Sequence, residues 1–190
     1  MASPRESPDA PAEEERLIRA AQKGDRPAFA VLVEHYWDRL YRWLYRMTHD
    51  RHAAEDLTQE TFLKAFAGLN RFQAGTNFAA WLFRIAHNNF ANDRRKVRQR
   101  EPLPDDLAAK DGDPSEEAQS REALRDLARA VDRVPAEFRS ALLLRVEQGL
   151  SFREIADVLD LTEETARWRV FKARQKLLAL LAPRQEQEKP

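Results

Sequence analysis

The chain has 190 residues, 43% hydrophobic and 34% charged, with 32 cationic and 32 acidic side chains, so its formal net charge is zero. Whole-chain charge thus points to no polyanionic partner, and any nucleic-acid function must come from how the charge is distributed. With no cysteine there is no disulfide framework or thiolate metal site, which is compatible with a reducing cytoplasm; no apolar run approaches the roughly 20 residues needed to span a bilayer. Only five glycines and a high charged fraction suit an all-helical protein.

Residues 1–12, acidic and carrying Pro4, Pro8 and Pro11, read as a disordered tail unlike a secretory signal. A short helix is expected over about residues 13–23, with Leu17, Ile18 and Ala21 apolar and Gly24 as terminator. Asp25 then caps a long helix that tolerates Pro27 in its first turn and carries Phe29, Leu32, Val33, Tyr36, Leu40, Leu44 and Met47 on one stripe. After the break at Thr48, His49 and Asp50, a third helix turns Ala54, Leu57, Thr61, Ala65, Phe66 and Leu69 inward. Its outward side holds Glu55, Asp56, Gln59 and Glu60, and spacing leaves open whether this is a solvated face or a docking surface.

Residues 70–77 form a loop by their Asn, Gly and Thr content. A fourth helix follows over about 78–99, with Trp81, Leu82, Ile85, Ala86 and Phe90 as core positions and Arg94, Arg95, Lys96, Arg98 and Arg100 making its far end basic. Arg84, Asn88 and Asn92 recur every four residues along one side, a strip of hydrogen-bonding groups leading into that basic end. Residues 101–115, rich in Asp and Pro, read as a flexible acidic linker dividing the chain. Beyond it, Ser115 caps a helix with Leu124, Leu127 and Val131 inward, and Pro135 opens another that holds Leu142, Leu143, Leu144 and Val146.

Residues 149–177 carry the most specific local pattern. Ser151 and Glu154 make a capping box, Leu150 can staple onto Ile155, and Phe152, Ile155, Ala156 and Leu159 form one buried face. Thr162 caps a second helix with Glu163 and Glu164 in its first turn, where the macrodipole favours negative charge. In that helix Ala166, Val170, Ala173 and Leu177 share a face, while Trp168, Phe171, Lys172 and Gln175 point the other way, flanked by Arg167, Arg169 and Arg174. No acid occurs between Thr165 and Ala182. This helix-turn-helix pattern, with cations, an amide and aromatics outward, has the chemistry of a major-groove reader. Residues 183–190 form a tail.

Catalysis finds little support, since no phosphate-binding loop, dinucleotide fingerprint, nucleophile elbow or zincin helix is present. His49 and His52, near Asp50, Glu55 and Asp56, could hold a metal, but such a pair at an exposed helix start reads as ordinary surface; no metal and no cofactor are expected. The basic, aromatic and Asn-bearing segment around the fourth helix suits single-stranded nucleic acid, on which aromatics stack while arginines follow the backbone.

The string Ala54-Glu55-Asp56-Leu57-Thr58-Gln59-Glu60-Thr61-Phe62, the segment from Phe78 through Trp81, Phe83 and Arg84 to Asn88, and the helix-turn-helix with Glu154-Ile155-Ala156 resemble the extracytoplasmic-function (ECF) sigma factors of bacteria. The resemblance runs over about residues 13–181 and implies two helical domains, a sigma-two type over 13–100 and a sigma-four type over 116–182. It implies that Asp56, Gln59 and Glu60 dock on the clamp helices of the largest subunit of core RNA polymerase, and that the sigma-four domain touches the flap of the second-largest subunit. Phe72, Asn77, Phe83, Arg84, Asn88, Asn92, Arg94 and Arg95 would capture the melted strand of the minus-ten element. Trp81 sits where the family opens the duplex, although its helical phase equally fits core. Arg167, Trp168, Arg169, Phe171, Lys172 and Arg174 would read the minus-thirty-five element as duplex. The implied partners are core polymerase, promoter DNA and an anti-sigma factor, in the cytoplasm and without membrane insertion.

The chain departs from the family pattern at three positions. Asp160 stands where the family usually has Gly at the inter-helix turn, and Asp tolerates a left-handed conformation less well than Gly. Glu164 stands where Gly is common, and Trp168 where a small hydroxyl residue is common. The indole implies an altered promoter preference, or packing against protein. The rivals to this reading are a helix-turn-helix regulator that acts without polymerase and a hydrolase built on the His49 and His52 region.

Overall fold

The computed structural model describes residues 10–73, 75–100 and 118–182, with side chains over 12–73, 75–95 and 125–182. The expected linker, the Ser115 cap, the side chains of Lys96, Arg98, Arg100 and Leu124, and the C-terminal tail lie outside what is described. The chain divides into two compact units, Met1–Glu101 and Pro102–Pro190, and every regular element among the described residues is helical.

In the first unit α1 spans Ala10–Gln22, α2 Arg26–Thr48, α3 Arg51–Gly68 and α4 Phe78–Arg100, with a 3-10 turn at Leu69–Arg71. The first helix starts inside the expected tail, with Pro11 in its first turn, where a missing N–H leaves no bond unmade. Local chemistry sets the other starts: Asp25 accepts from the Ala28 amide at 3.0 Å, and Asp50 from those of His52 at 2.8 Å and Ala53 at 3.1 Å. His49, left-handed at φ 55°, ends α2.

Helix α2 is the hub, packing against α1, α3 and α4. Leu32, Tyr36, Leu40, Leu44 and Met47 are buried as the stripe requires, while Phe29 and Val33 are half-buried. The expected stripe of α2 is too narrow, because Trp43 is also buried, its ring edge-to-face at 5.7 Å with Phe83 of α4, and both are 0% exposed. In α3 the expectation for Phe66 is overturned: it is 46% exposed, and Phe62 is buried instead. Trp37 of α2 stacks on Phe62 at 5.9 Å and rotates the buried arc of α3 toward it, whereas Phe66 meets only the edge of α2, at Phe29, 5.0 Å away. Leu82, Ala86 and Phe90 of α4 are buried as expected, with Trp81 and Ile85 half-buried.

The second unit holds α5 Ala118–Asp132, α6 Ala136–Val146, α7 Phe152–Leu159 and α8 Glu163–Leu181. The other three helices all pack on α8, whose Ala166, Val170 and Ala173 are buried; small side chains there let backbones approach closely. Buried Arg139 of α6 donates to the carbonyl of Asp132, tying the end of α5 to α6. The inward side of α5 centres on Ala130 and Val131, with buried Val134 just beyond its end, so Leu127, expected inside, lies at the rim and is exposed, as is Val146 in the last turn of α6. The capping box forms, with Ser151 Oγ accepting from the Glu154 amide at 3.2 Å and Glu154 Oε2 from the Ser151 amide at 2.7 Å. Asp160 closes α7 in the left-handed region at φ 54°, ψ 56°, and Thr162 Oγ1 accepts from the Thr165 amide at 3.2 Å to start α8.

Candidate nucleic-acid and polymerase interfaces

The outer face of α3 carries Asp56, Gln59 and Glu60, all exposed, with Glu60 paired to Lys64 at 2.6 Å. Leu63, 72% exposed, stands one turn after Gln59 and two after Asp56, so an apolar side chain borders the acidic face at its C-terminal end. The sequence reading missed Leu63, although its helical phase places it outward.

On α4 the inward arc runs through Phe78, Ala79, Leu82, Phe83, Ala86, Asn89 and Phe90. Opposite it, Arg84, Asn88, Asn92 and Arg95 are exposed at helical spacing, and Asn92 Oδ1 accepts from Arg95 at 2.6 Å. Four groups of one strip are thus brought together. Arg94 sits off the strip, its guanidinium 6.0 Å from the Phe90 ring. Phe83 lies in the core and Phe72 is buried against Phe78 and Trp81 at 5.4 and 5.1 Å, so neither ring is available to stack on a base. Their aromatic character, taken in the sequence as a base platform, is used for packing. Asn77 Oδ1 caps α4 by accepting from the Ala80 amide at 3.1 Å. Trp81 is half-buried, 5.5 Å from Phe78 and on the strip side of α4, so part of the indole packs and part reaches the surface.

Asn89 is the polar residue the sequence reading passed over. Buried beside Asn88, it accepts from Lys64 Nζ at 2.6 Å and donates to Thr61 Oγ1 at 3.0 Å, joining α3 to α4. Its spacing from Leu82 and Ala86 would have placed it inward.

In the second unit the outward arc of α8 holds Arg167, Phe171, Arg174 and Gln175, with Phe171 55% exposed. Arg167 is preorganised: its guanidinium is 3.0 Å from Glu163 Oε1 and 5.0 Å from the centre of the Phe152 ring. Arg145 also lies over Phe152, at 4.9 Å, and donates to the Leu150 carbonyl at 2.8 Å. Phe152, expected inward, is therefore half-buried and serves as a shelf for two arginines. Lys172 lies at the edge of the arc with Nζ 3.3 Å from Gln175 Oε1, and Arg169 is partly covered near the buried side. Trp168 is 50% exposed and meets Phe138 of α6 edge-to-face at 5.6 Å, so half of it packs on its own unit. Among the described residues no group of three or more His, Cys, Asp or Glu side chains could hold a metal, and no helix is long and apolar enough to cross a membrane.

Two family profiles match this chain: Sigma-70 region 2 over residues 32–101 and Sigma-70 region 4 over 124–177. RNA polymerase sigma-H factor of Pseudomonas aeruginosa is 34% identical over 90% of this chain and 95% of its own length. The ECF RNA polymerase sigma-E factor of Escherichia coli is 32% identical over 84% of this chain and 89% of its own. Among solved structures, the sigma factor RpoE from Bartonella quintana, in complex with the anti-sigma factor NepR, superposes with a TM-score of 0.64 at 27% identity, covering 80% of this chain and 96% of that one. The chain belongs to the ECF family of RNA polymerase sigma factors.

Proposed function

We propose that the chain is a promoter-specificity subunit that performs no catalysis itself and works in the cytoplasm, where it brings core RNA polymerase to particular promoters and supports initiation. The observation that carries this reading is the basic outward face of α8, second helix of a helix-turn-helix, which carries no acid beyond Glu163 and Glu164 in its first turn, in a chain whose other unit matches Sigma-70 region 2. The first unit, residues 13–100, docks on the clamp helices of the largest polymerase subunit through Asp56, Gln59 and Glu60, with exposed Leu63 one turn further along α3. Its α4 strip, with Arg84, Asn88, Asn92 and Arg95, follows the opened minus-ten strand, Arg94 adds a phosphate contact, and Trp81 meets the edge of the duplex. The second unit, residues 116–182, reads the minus-thirty-five duplex through Arg167, Phe171 and Arg174 with Trp168 and Lys172 at the margin, and touches the flap of the second-largest subunit. A relative is found in complex with an anti-sigma factor, and control of this chain by such a protein is part of the proposal.

The purified protein with core polymerase is expected to start transcription at discrete sites on a genomic promoter library; silence on every promoter would overturn the reading. A regulator acting without polymerase predicts tight duplex binding and no association with core enzyme, which a pull-down separates.

A further inference from the structure

The family profile for the first unit begins at residue 32, after α1. Yet α1 ends in Gln22, whose amide Nε2 donates to the carbonyls of Leu69 at 3.0 Å and Phe72 at 2.7 Å, 47 and 50 residues further along the chain. These carbonyls border the loop between α3 and α4. The Leu69 carbonyl also accepts from the Phe72 amide at 3.0 Å, so Gln22 takes up its second lone pair and caps the 3-10 turn from outside. Beneath, the buried Phe72 ring is wedged against Phe78 and Trp81.

Past Phe72 the loop turns to solvent, with Gln73, Gly75, Thr76 and Asn77 exposed. Thr76 Oγ1 donates to the Gln73 carbonyl at 2.8 Å, Gly75 supplies a φ of 89° that side chains rarely adopt, and Asn77 caps α4. Asn77 ties the end of the turn to α4, and Gln22 holds its start at Leu69 and Phe72. At its other end α1 is held by Glu14, which accepts from the Tyr36 hydroxyl of α2.

We infer that Gln22 is a positioning residue for strand capture: by clamping the Leu69 and Phe72 carbonyls it aims Arg71, Gln73, Thr76 and Asn77 along the α4 strip, so that bases reach both at once. The inference rests on the strand-binding role proposed for this unit. Gln22 does not touch DNA; it acts through the loop backbone. Removing its donor leaves two partly buried carbonyls without that partner and the loop free to sample other directions.

The test uses full-length protein with Gln22→Met, which keeps shape and loses the donor, and Gln22→Glu, which puts acceptors against the carbonyls. The probe is a labelled single-stranded DNA bearing the minus-ten segment of a promoter at which the protein starts transcription. Both variants are expected to bind it about five- to tenfold more weakly, with duplex binding and association with core polymerase within about twofold of the parent. Amide exchange at Phe72 and Thr76 should rise at least about tenfold while the α2 core amides stay protected. Strand affinity unchanged in both variants, or lost in proportion to core association, overturns the inference. If the parent itself fails to bind the strand, the functional reading falls, and the exchange measurement still decides whether Gln22 holds the loop: unchanged Phe72 and Thr76 amides overturn that as well.

Discussion

The two units present their candidate DNA-facing side chains by different means. In the second, local rules suffice: a capping box, a left-handed Asp160 and a Thr162 cap set the phase of α8, and the outward arc follows from that phase. In the first, the strip on α4 is outward only because Trp43, Phe72, Phe78 and Phe83 fill the space beneath it, and the loop beside it is held by a side chain from α1. A locally specified reader tolerates changes elsewhere in its unit, whereas one specified by packing does not.

The sharpest way to break this comparison is Phe83→Ala. If the ring is core, the variant loses about 3–5 kcal/mol of first-unit stability, seen as faster amide exchange along α4 with α7 and α8 unaffected. A selective loss of strand binding in a fully stable protein would instead restore Phe83 to the contact set. Next, Arg167→Ala should weaken binding to the cognate duplex by about 1–3 kcal/mol, with a smaller loss for Lys172→Ala at the edge of the arc. Arg94→Ala should weaken binding to most sequences alike and reduce the salt slope by about one; titrations at several salt concentrations distinguish the two patterns.

Two smaller effects probe local control in the second unit. Ser151→Ala should cost about 1 kcal/mol by leaving the α7 amides uncapped, and Asp160→Gly should stabilise by up to about 1 kcal/mol because glycine adopts the left-handed conformation without strain. Both are read from the denaturant dependence of amide exchange in α7 and α8. The smallest effect is confined to alkaline solution. Burial first, and the Glu14 carboxylate second, push the Tyr36 hydroxyl above its ordinary value near 10. The unfolded chain ionises there first, so this contribution is complete below about pH 10 and declines as pH rises beyond it. First-unit stability should therefore fall less steeply in Tyr36→Phe than in the parent over that range.

The caps at Asp25, Ser151 and Thr162, the αL residue at Asp160 and the outward phase of Phe171 and Gln175, with Arg167 and Arg174 beside them, were legible in the sequence. Each depends on groups within about one helical turn of one another, and the chemistry acting over that distance is written in neighbouring residues. Tertiary structure decided the rest. Helical phase does not tell how wide a buried arc is, and α2 and α4 bury more of their surface than a single stripe because α2 contacts three helices. That is why Trp43 and Phe83 moved into the core, and why Phe62 rather than Phe66 was covered. Likewise, Gln22 lies 47 residues from Leu69, and only the packing of α1 on its neighbours brings its amide to the loop it holds.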